Sequence, residues 1–119
     1  MRDFRQLEIW KNGIELVKQV YVLSQQLPSE EKFGLRSQLT RAAVSIPSNI
    51  AEGASRNSEK DFGRFLEISL GSAFELETQI LIAEKIKYIE HIDSIETLEK
   101  LISLQKRISA LRKRVLSKG

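Results

Sequence analysis

The sequence predicts an all-α domain in which four helices pack as an antiparallel up-down-up-down bundle, residues 1–119 forming a single unit. Two observations lead there. Four stretches carry apolar residues at helical three-and-four spacing, and the breaks between them are short and marked by Pro28, Gly53 and polar clusters. No stretch shows the strict alternation and turn punctuation of strands.

The first helix is expected from about Gln6 to Gln26. Leu7, Trp10, Ile14, Val17, Tyr21 and Ser24 make one row, and Ile9, Leu16, Val20, Leu23 and Leu27 a second. Two rows are wider than one bundle seam needs, so either the helix is deeply buried or one row meets a second subunit. Gly13, a weak helix former, marks a candidate close crossing. The helix ends at Leu27, because the residue before proline is pushed out of the helical region.

Ser29 is placed to cap the second helix, although Lys32 stands where a capping box would want glutamate. Its seam is Leu35, Leu39, Ala42, Ile46 and Ile50, and it should stop at Gly53 in the left-handed conformation that ends many helices. Pro47 lies inside the pattern and predicts a bend near Ala43 to Pro47. Small residues flank the seam, and the small residues Ser69, Gly71, Ser72 and Ala73 of the third helix are the expected surface for Ala42, Ala43 and Ser45.

Ser58 followed by Asp61 has the spacing of a helix start, which opens a third helix running to about Ile86. Phe62, Phe65, Leu66, Ser69, Ala73, Leu76, Ile80 and Ala83 form its seam. Lys87 to Asp93 reads as a connector, and Ser94 as the cap of a fourth helix with Ile95, Leu98, Leu101, Ile102, Leu104, Gln105, Ile108, Leu111 and Val115 as its stripe.

Composition excludes several chemistries. Cysteine is absent, which removes disulfides, thiolate nucleophiles and cysteine-held metals. A di-metal bundle site needs two Glu-x-x-His pairs, whereas this chain has one histidine, His91, in an expected loop. No glycine-rich phosphate loop or Gly-x-Ser-x-Gly nucleophile turn is present. Glu52, Glu75 and Glu77 are read as structural carboxylates meeting Arg36, Arg41 or Asn49, rather than as an acid–base pair. No catalytic residue, cofactor or metal is expected. The start MRDFRQLEIW has no long apolar run, and no window nears the ~20 apolar residues of a membrane span, so a soluble cytoplasmic protein with no membrane partner is expected.

Charge is distributed unevenly. Residues 59–99 are net −6, whereas residues 100–119 carry seven cations and no anion: Lys100, Lys106, Arg107, Arg112, Lys113, Arg114 and Lys118. A helix C-terminus attracts cations over its final turn only, which leaves Lys100, Lys106 and Arg107 unaccounted for. These seven are the candidate contacts to a polyanion, joined by Arg2, Arg5, Lys11 and Lys18 if the terminal helices are neighbours. Most aromatics occupy apolar rows, so the contact is expected to be with phosphates.

Phe33-Gly34-Leu35, Gln38, Arg41-Ala42-Ala43, Ser45-Ile46, Asn49-Ile50-Ala51-Glu52-Gly53, Arg56, Ser58, Phe65-Leu66 and Gly71-Ser72 with Glu75-Leu76-Glu77 follow one another in an order and spacing that resemble the 23S rRNA intervening-sequence protein family. Leu7 and Trp10 also fit, and the resemblance covers nearly the whole chain, weakening after about Ile86. It implies a left-handed antiparallel four-helix bundle assembled as a homopentamer. The chain is similar too to the accessory variability proteins of diversity-generating retroelements, a pentameric relation whose basic surface engages nucleic acid and a reverse transcriptase. The family has no agreed catalytic residues, so Arg41, Asn49, Glu52, Gly53, Gly71, Ser72, Glu75 and Glu77 carry over as structural motif positions. Two functions follow as expectations: an oligomeric bundle that binds RNA or DNA, or a scaffold whose partner is another protein.

Overall fold

The computed structural model describes residues 2–118, which form four long helices and, among the described residues, no strand. Helix α1 spans Glu8–Ser24, α2 Leu35–Ala54, α3 Glu59–Lys85 and α4 His91–Lys118, with short 3-10 turns at Phe4–Gln6 and Ser29–Glu31. Each helix packs on two neighbours: α1 and α3 both touch α2 and α4. The 28 residues of α4 make a rod of about 42 Å at the usual rise. The molecule is 45 Å long and 23 by 19 Å across, so its length is that of its longest helix.

The helix seams are where their spacing puts them. In α3 every expected seam residue, from Phe62 to Ala83, is buried. In α2, Leu39, Ala42, Ile46 and Ile50 are buried and Leu35 partly so. The two rows of α1 separate: Ile9, Leu16, Val20, Leu23 and Leu27 fill the core. Leu7, Trp10 and Val17 lie half-buried at its edge, and Ile14 and Tyr21 are exposed. In α4, Leu98, Leu101, Leu104, Gln105, Ile108 and Val115 face inward, whereas Ile95 and Ile102 are exposed at the flank.

Small residues set the crossings. A Cβ added to Gly13 would lie 3.2 Å from the ring of Pro47, so α1 rests on the proline of α2, which runs unbroken through it. Between α2 and α3, the Ser45 and Ser72 hydroxyls share a hydrogen bond of 2.9 Å, and the buried Ser69 hydroxyl donates to the Ile46 carbonyl at 2.9 Å. Ala43 and Ala73 are fully buried. Gly71, expected at this crossing, is exposed with open space around it.

Helix ends depart from expectation more than seams do. Gly53 is not a left-handed terminator, since no glycine among the described residues has positive φ. It is a buried helical residue whose Cβ would lie 2.6 Å from Phe65 Cβ, and its absence lets the α2–α3 corner close. Ser29 makes no capping bond. The helix breaks at Gly34, whose φ of −109° and ψ of −118° leave the helical region, and the Leu35 amide donates to the Glu31 carboxylate at 2.9 Å instead. The Ser58 cap is present, its hydroxyl accepting from the Asp61 amide at 3.0 Å. Ser94, however, is a buried interior residue of α4, which begins three residues earlier at His91, and its hydroxyl donates to the Glu84 carboxylate of α3.

Candidate nucleic-acid interface

The buried stripe of α4 turns its cations outward. Lys106, Lys113 and Arg114 are exposed and pair with no carboxylate among the described residues. Arg107 donates to the neutral Asn12 side chain of α1 at 3.0 Å and keeps its full charge, and Lys118 is exposed at the end of the helix. Two of the seven candidates differ. The Arg112 guanidinium is half-buried and bonded to Glu67 at 2.7 Å, and Lys100 lies 3.4 Å from Glu96 one turn back.

Helices α1 and α4 are neighbours, the condition for the N-terminal cations to join this face. They nevertheless add little charge, because each has an acidic partner close by. Lys11 pairs with Glu8 at 3.5 Å, Lys18 with Glu15 at 3.4 Å and Arg5 with Asp3 at 3.1 Å. Arg2 donates two bonds of 2.8 Å to Glu59 and lies over the Phe62 ring at 4.5 Å, while its backbone amide donates to the Ala54 carbonyl at 2.9 Å. The hydrogen bonds from Arg2 hold the Glu59 carboxyl below its ordinary pKa. Sequence reasoning missed this strap, because the partners stand 57 positions apart, beyond the reach of any local pattern.

The α4 cations border two grooves. Lys106 and Lys113 flank one of about 420 Å³ between α3 and α4, floored by Leu70, Phe74 and Ile102. Phe74, which the expected seam of α3 leaves out, is 52% exposed there. Arg107 and Arg114 flank a second groove of about 500 Å³ between α4 and α1, floored by Leu7, Ile9 and Leu111.

The expected carboxylate network does not form within the chain. Glu52 pairs with Arg56 one turn on at 3.0 Å, Arg36 donates to Gln25 at 3.3 Å, and Asn49 donates to the Ser45 carbonyl and hydroxyl. Arg41 and Glu75 are exposed and bond to no side chain among the described residues. Of Glu52, Glu75 and Glu77, Glu77 alone ties two helices among the described residues, accepting from the buried Gln105 amide of α4 at 2.8 Å.

His91 stands at the exposed start of α4, not in a loop, with Nδ1 3.1 Å from Glu84. Ser94 donates to that same carboxylate, so the hydroxyl meets the acid and not the imidazole. Among the described residues no cluster of three or more His, Asp or Glu could hold a metal, and no helix is long and apolar enough to cross a membrane.

A family model described as 23S rRNA-intervening sequence protein matches residues 5–110. Among solved structures, a protein of unknown function from the S23 ribosomal protein family of Bacteroides thetaiotaomicron is similar, with a TM-score of 0.81 and 24% identity over 88% of this chain and 98% of that one. That likeness shows the fold. Comparison with curated proteins gives no match. Neither description names a reaction.

Proposed function

This chain belongs to the 23S rRNA-intervening sequence protein family, and on that premise we propose a non-enzymatic, cytoplasmic homo-oligomer that binds RNA or DNA through phosphate contacts on α4. The observation that carries this reading is the trio Lys106, Lys113 and Arg114, exposed, without acidic partners among the described residues, and held outward by a buried stripe. Phosphate attraction requires such a face and little else. The bundle itself is antiparallel in this reading. Gly13 early in α1 lies against Pro47 late in α2, Gly53 at the end of α2 against Phe65 near the start of α3 while Ser45 meets Ser72 at mid-helix, and Glu84 at the end of α3 meets Ser94 near the start of α4.

Assembly rests on what the single chain leaves uncovered. Ile14 at 37% and Tyr21 at 47% exposure lie along α1 beside half-buried Trp10 and Val17, an apolar surface of the kind that marks interaction sites. Among the described residues the Arg41 and Glu75 side chains make no hydrogen bond or ion pair and Gly71 faces open space, which suits positions used between subunits. Five copies is the favoured number on family grounds. A ring of basic faces would then bind by multivalency even where single contacts are weak.

The experiment is a salt titration of binding to duplex DNA and structured RNA. Binding should be detectable near about 50 mM salt, show little sequence preference and weaken steeply as salt rises, because counterions are released on contact. The triple variant Lys106→Gln, Lys113→Gln, Arg114→Gln should bind more weakly with a shallower salt slope while the oligomer persists. Wild type that binds neither nucleic acid under those conditions removes this reading in favour of a protein scaffold.

A further inference from the structure

The α3–α4 groove combines two things that phosphate contact alone does not require. Its floor is apolar and holds a half-exposed aromatic, and its rim is cationic. We infer that this groove seats an unpaired nucleobase on the ring of Phe74 while Lys106 and Lys113 hold the flanking phosphates, so that the protein prefers single-stranded or looped segments to continuous duplex. The inference rests on the proposed function and names the form of nucleic acid that site takes.

Phe74 lies on α3, packed beside α4, with half its surface free and Leu70 and Ile102 next to it. An exposed π-face on a rigid helix is a stacking platform, and every base has a π-face to place on it. Within a duplex both faces of a base are already covered by its neighbours, so only an unpaired base can use the ring. Lys106 and Lys113 are seven residues apart on α4, about 10.5 Å along the axis. A stacked strand carries one phosphate per about 3.4 Å of axis, so the two ammonium groups span roughly three nucleotides. A groove of about 420 Å³ falls toward the small end of ligand pockets, suiting one or two flat rings.

The charge pattern favours this occupant over an acidic amphipathic helix. Such a helix would need an apolar row continued along the groove, at i, i+3, i+4 and i+7 anchors. Three residues beyond Phe74 in α3 stands Glu77, half-buried and bonded to Gln105, which sets a carboxylate in that path. Both lysines lie beyond Gln105 toward the C-terminus of α4, where Glu67, the nearby acid of α3, is taken up by Arg112. A strand anchored at Lys106 and Lys113 therefore has its phosphates where the charge is positive.

The test compares an oligothymidylate, an abasic strand of the same length and a duplex of the same length, by fluorescence polarisation near about 50 mM salt. Wild type should bind the oligothymidylate more tightly than either of the others. Phe74→Leu, which keeps an apolar side chain and loses the ring, should weaken oligothymidylate binding at least about fivefold, the lower end of one base–aromatic stack, and leave duplex and abasic binding unchanged. Phe74→Tyr should restore it, and circular dichroism of each variant should match wild type. Equal binding of oligothymidylate by wild type and Phe74→Leu overturns the inference while leaving phosphate binding in place. Displacement of the strand by an acidic amphipathic peptide, with Phe74→Leu neutral toward the strand, assigns the groove to a protein partner and also overturns it. Loss of binding to all three nucleic acids overturns this inference and the proposed function together.

Discussion

Gly53 and Gly63 look alike in the sequence and differ in what surrounds them. A methyl group on Gly53 would meet the Cβ of Phe65 at 2.6 Å and the ring of Phe62 at 3.0 Å, atoms fixed close to the backbone of α3. A methyl group on Gly63 would meet the far end of Leu116, a side chain 38% exposed and free to turn away. Gly53→Ala should therefore destabilise by about 1–3 kcal/mol through overpacking. Gly63→Ala should be near neutral, its small clash offset by the roughly 1 kcal/mol that alanine gains over glycine in a helix. Urea denaturation of the two variants decides this, and equal effects would show that the α2–α3 corner is less tight than the geometry requires. The sequence marks Gly53 as special without saying why. A glycine after a helical run reads as a terminator, and only the position of Phe65, twelve residues on, reveals a close approach.

Helix faces were more legible than helix ends, the Ser58 cap aside, for one physical reason. A seam is a property of the helix's own periodicity, so the row from Phe62 to Ala83 could be read from spacing and every member is buried. An end is fixed by whichever partner reaches the open amides. For α2 that partner is the Glu31 carboxylate from the preceding turn, and Ser94, which resembles a cap, is held inside α4 by Glu84 of α3. The candidate site shows the same division. That α4 turns cations outward follows from its stripe, but the pairing of Arg112 with Glu67 depends on how α3 is rotated against it.

Two predictions belong to contacts between elements. Ser72→Leu places a branched side chain where two hydroxyls meet at 2.9 Å, and should cost about 1–3 kcal/mol, read as a lower melting temperature; an unchanged value would show that α2 and α3 are not held together there. The second concerns acid. Glu59 has its pKa lowered in the folded chain by hydrogen bonds from Arg2, so the stabilisation from this pair is complete above the ordinary glutamate value, about 4.3, and is lost as pH falls through the lower folded value. Glu59→Gln should therefore be less stable than wild type at neutral pH, and the gap should narrow in acid below about pH 4. A gap independent of pH would show that the strap is held by the Phe62 ring and the Ala54 carbonyl alone.

At the scale of the whole molecule, the divided rows of α1 connect assembly to binding. One row is spent on the core, and the other leaves Ile14 and Tyr21 exposed beside Trp10 and Val17. Light scattering at micromolar concentration should find an oligomer, and a monomer would remove the assembly reading. Ile14→Glu with Tyr21→Glu puts two charges on that row without touching the buried one, so the helix content should stay and the oligomer should dissociate. If the α4 faces act together, the dissociated variant should also bind nucleic acid far more weakly, although Lys106, Lys113 and Arg114 remain intact, because each contact becomes independent. Its salt slope per bound chain should then approach that of a single face, which separates lost valency from lost charge: the triple Gln variant lowers the slope within an intact oligomer, and the dissociated variant lowers it by removing neighbours. Undiminished affinity in the dissociated variant would show that one α4 face suffices and that assembly serves another purpose.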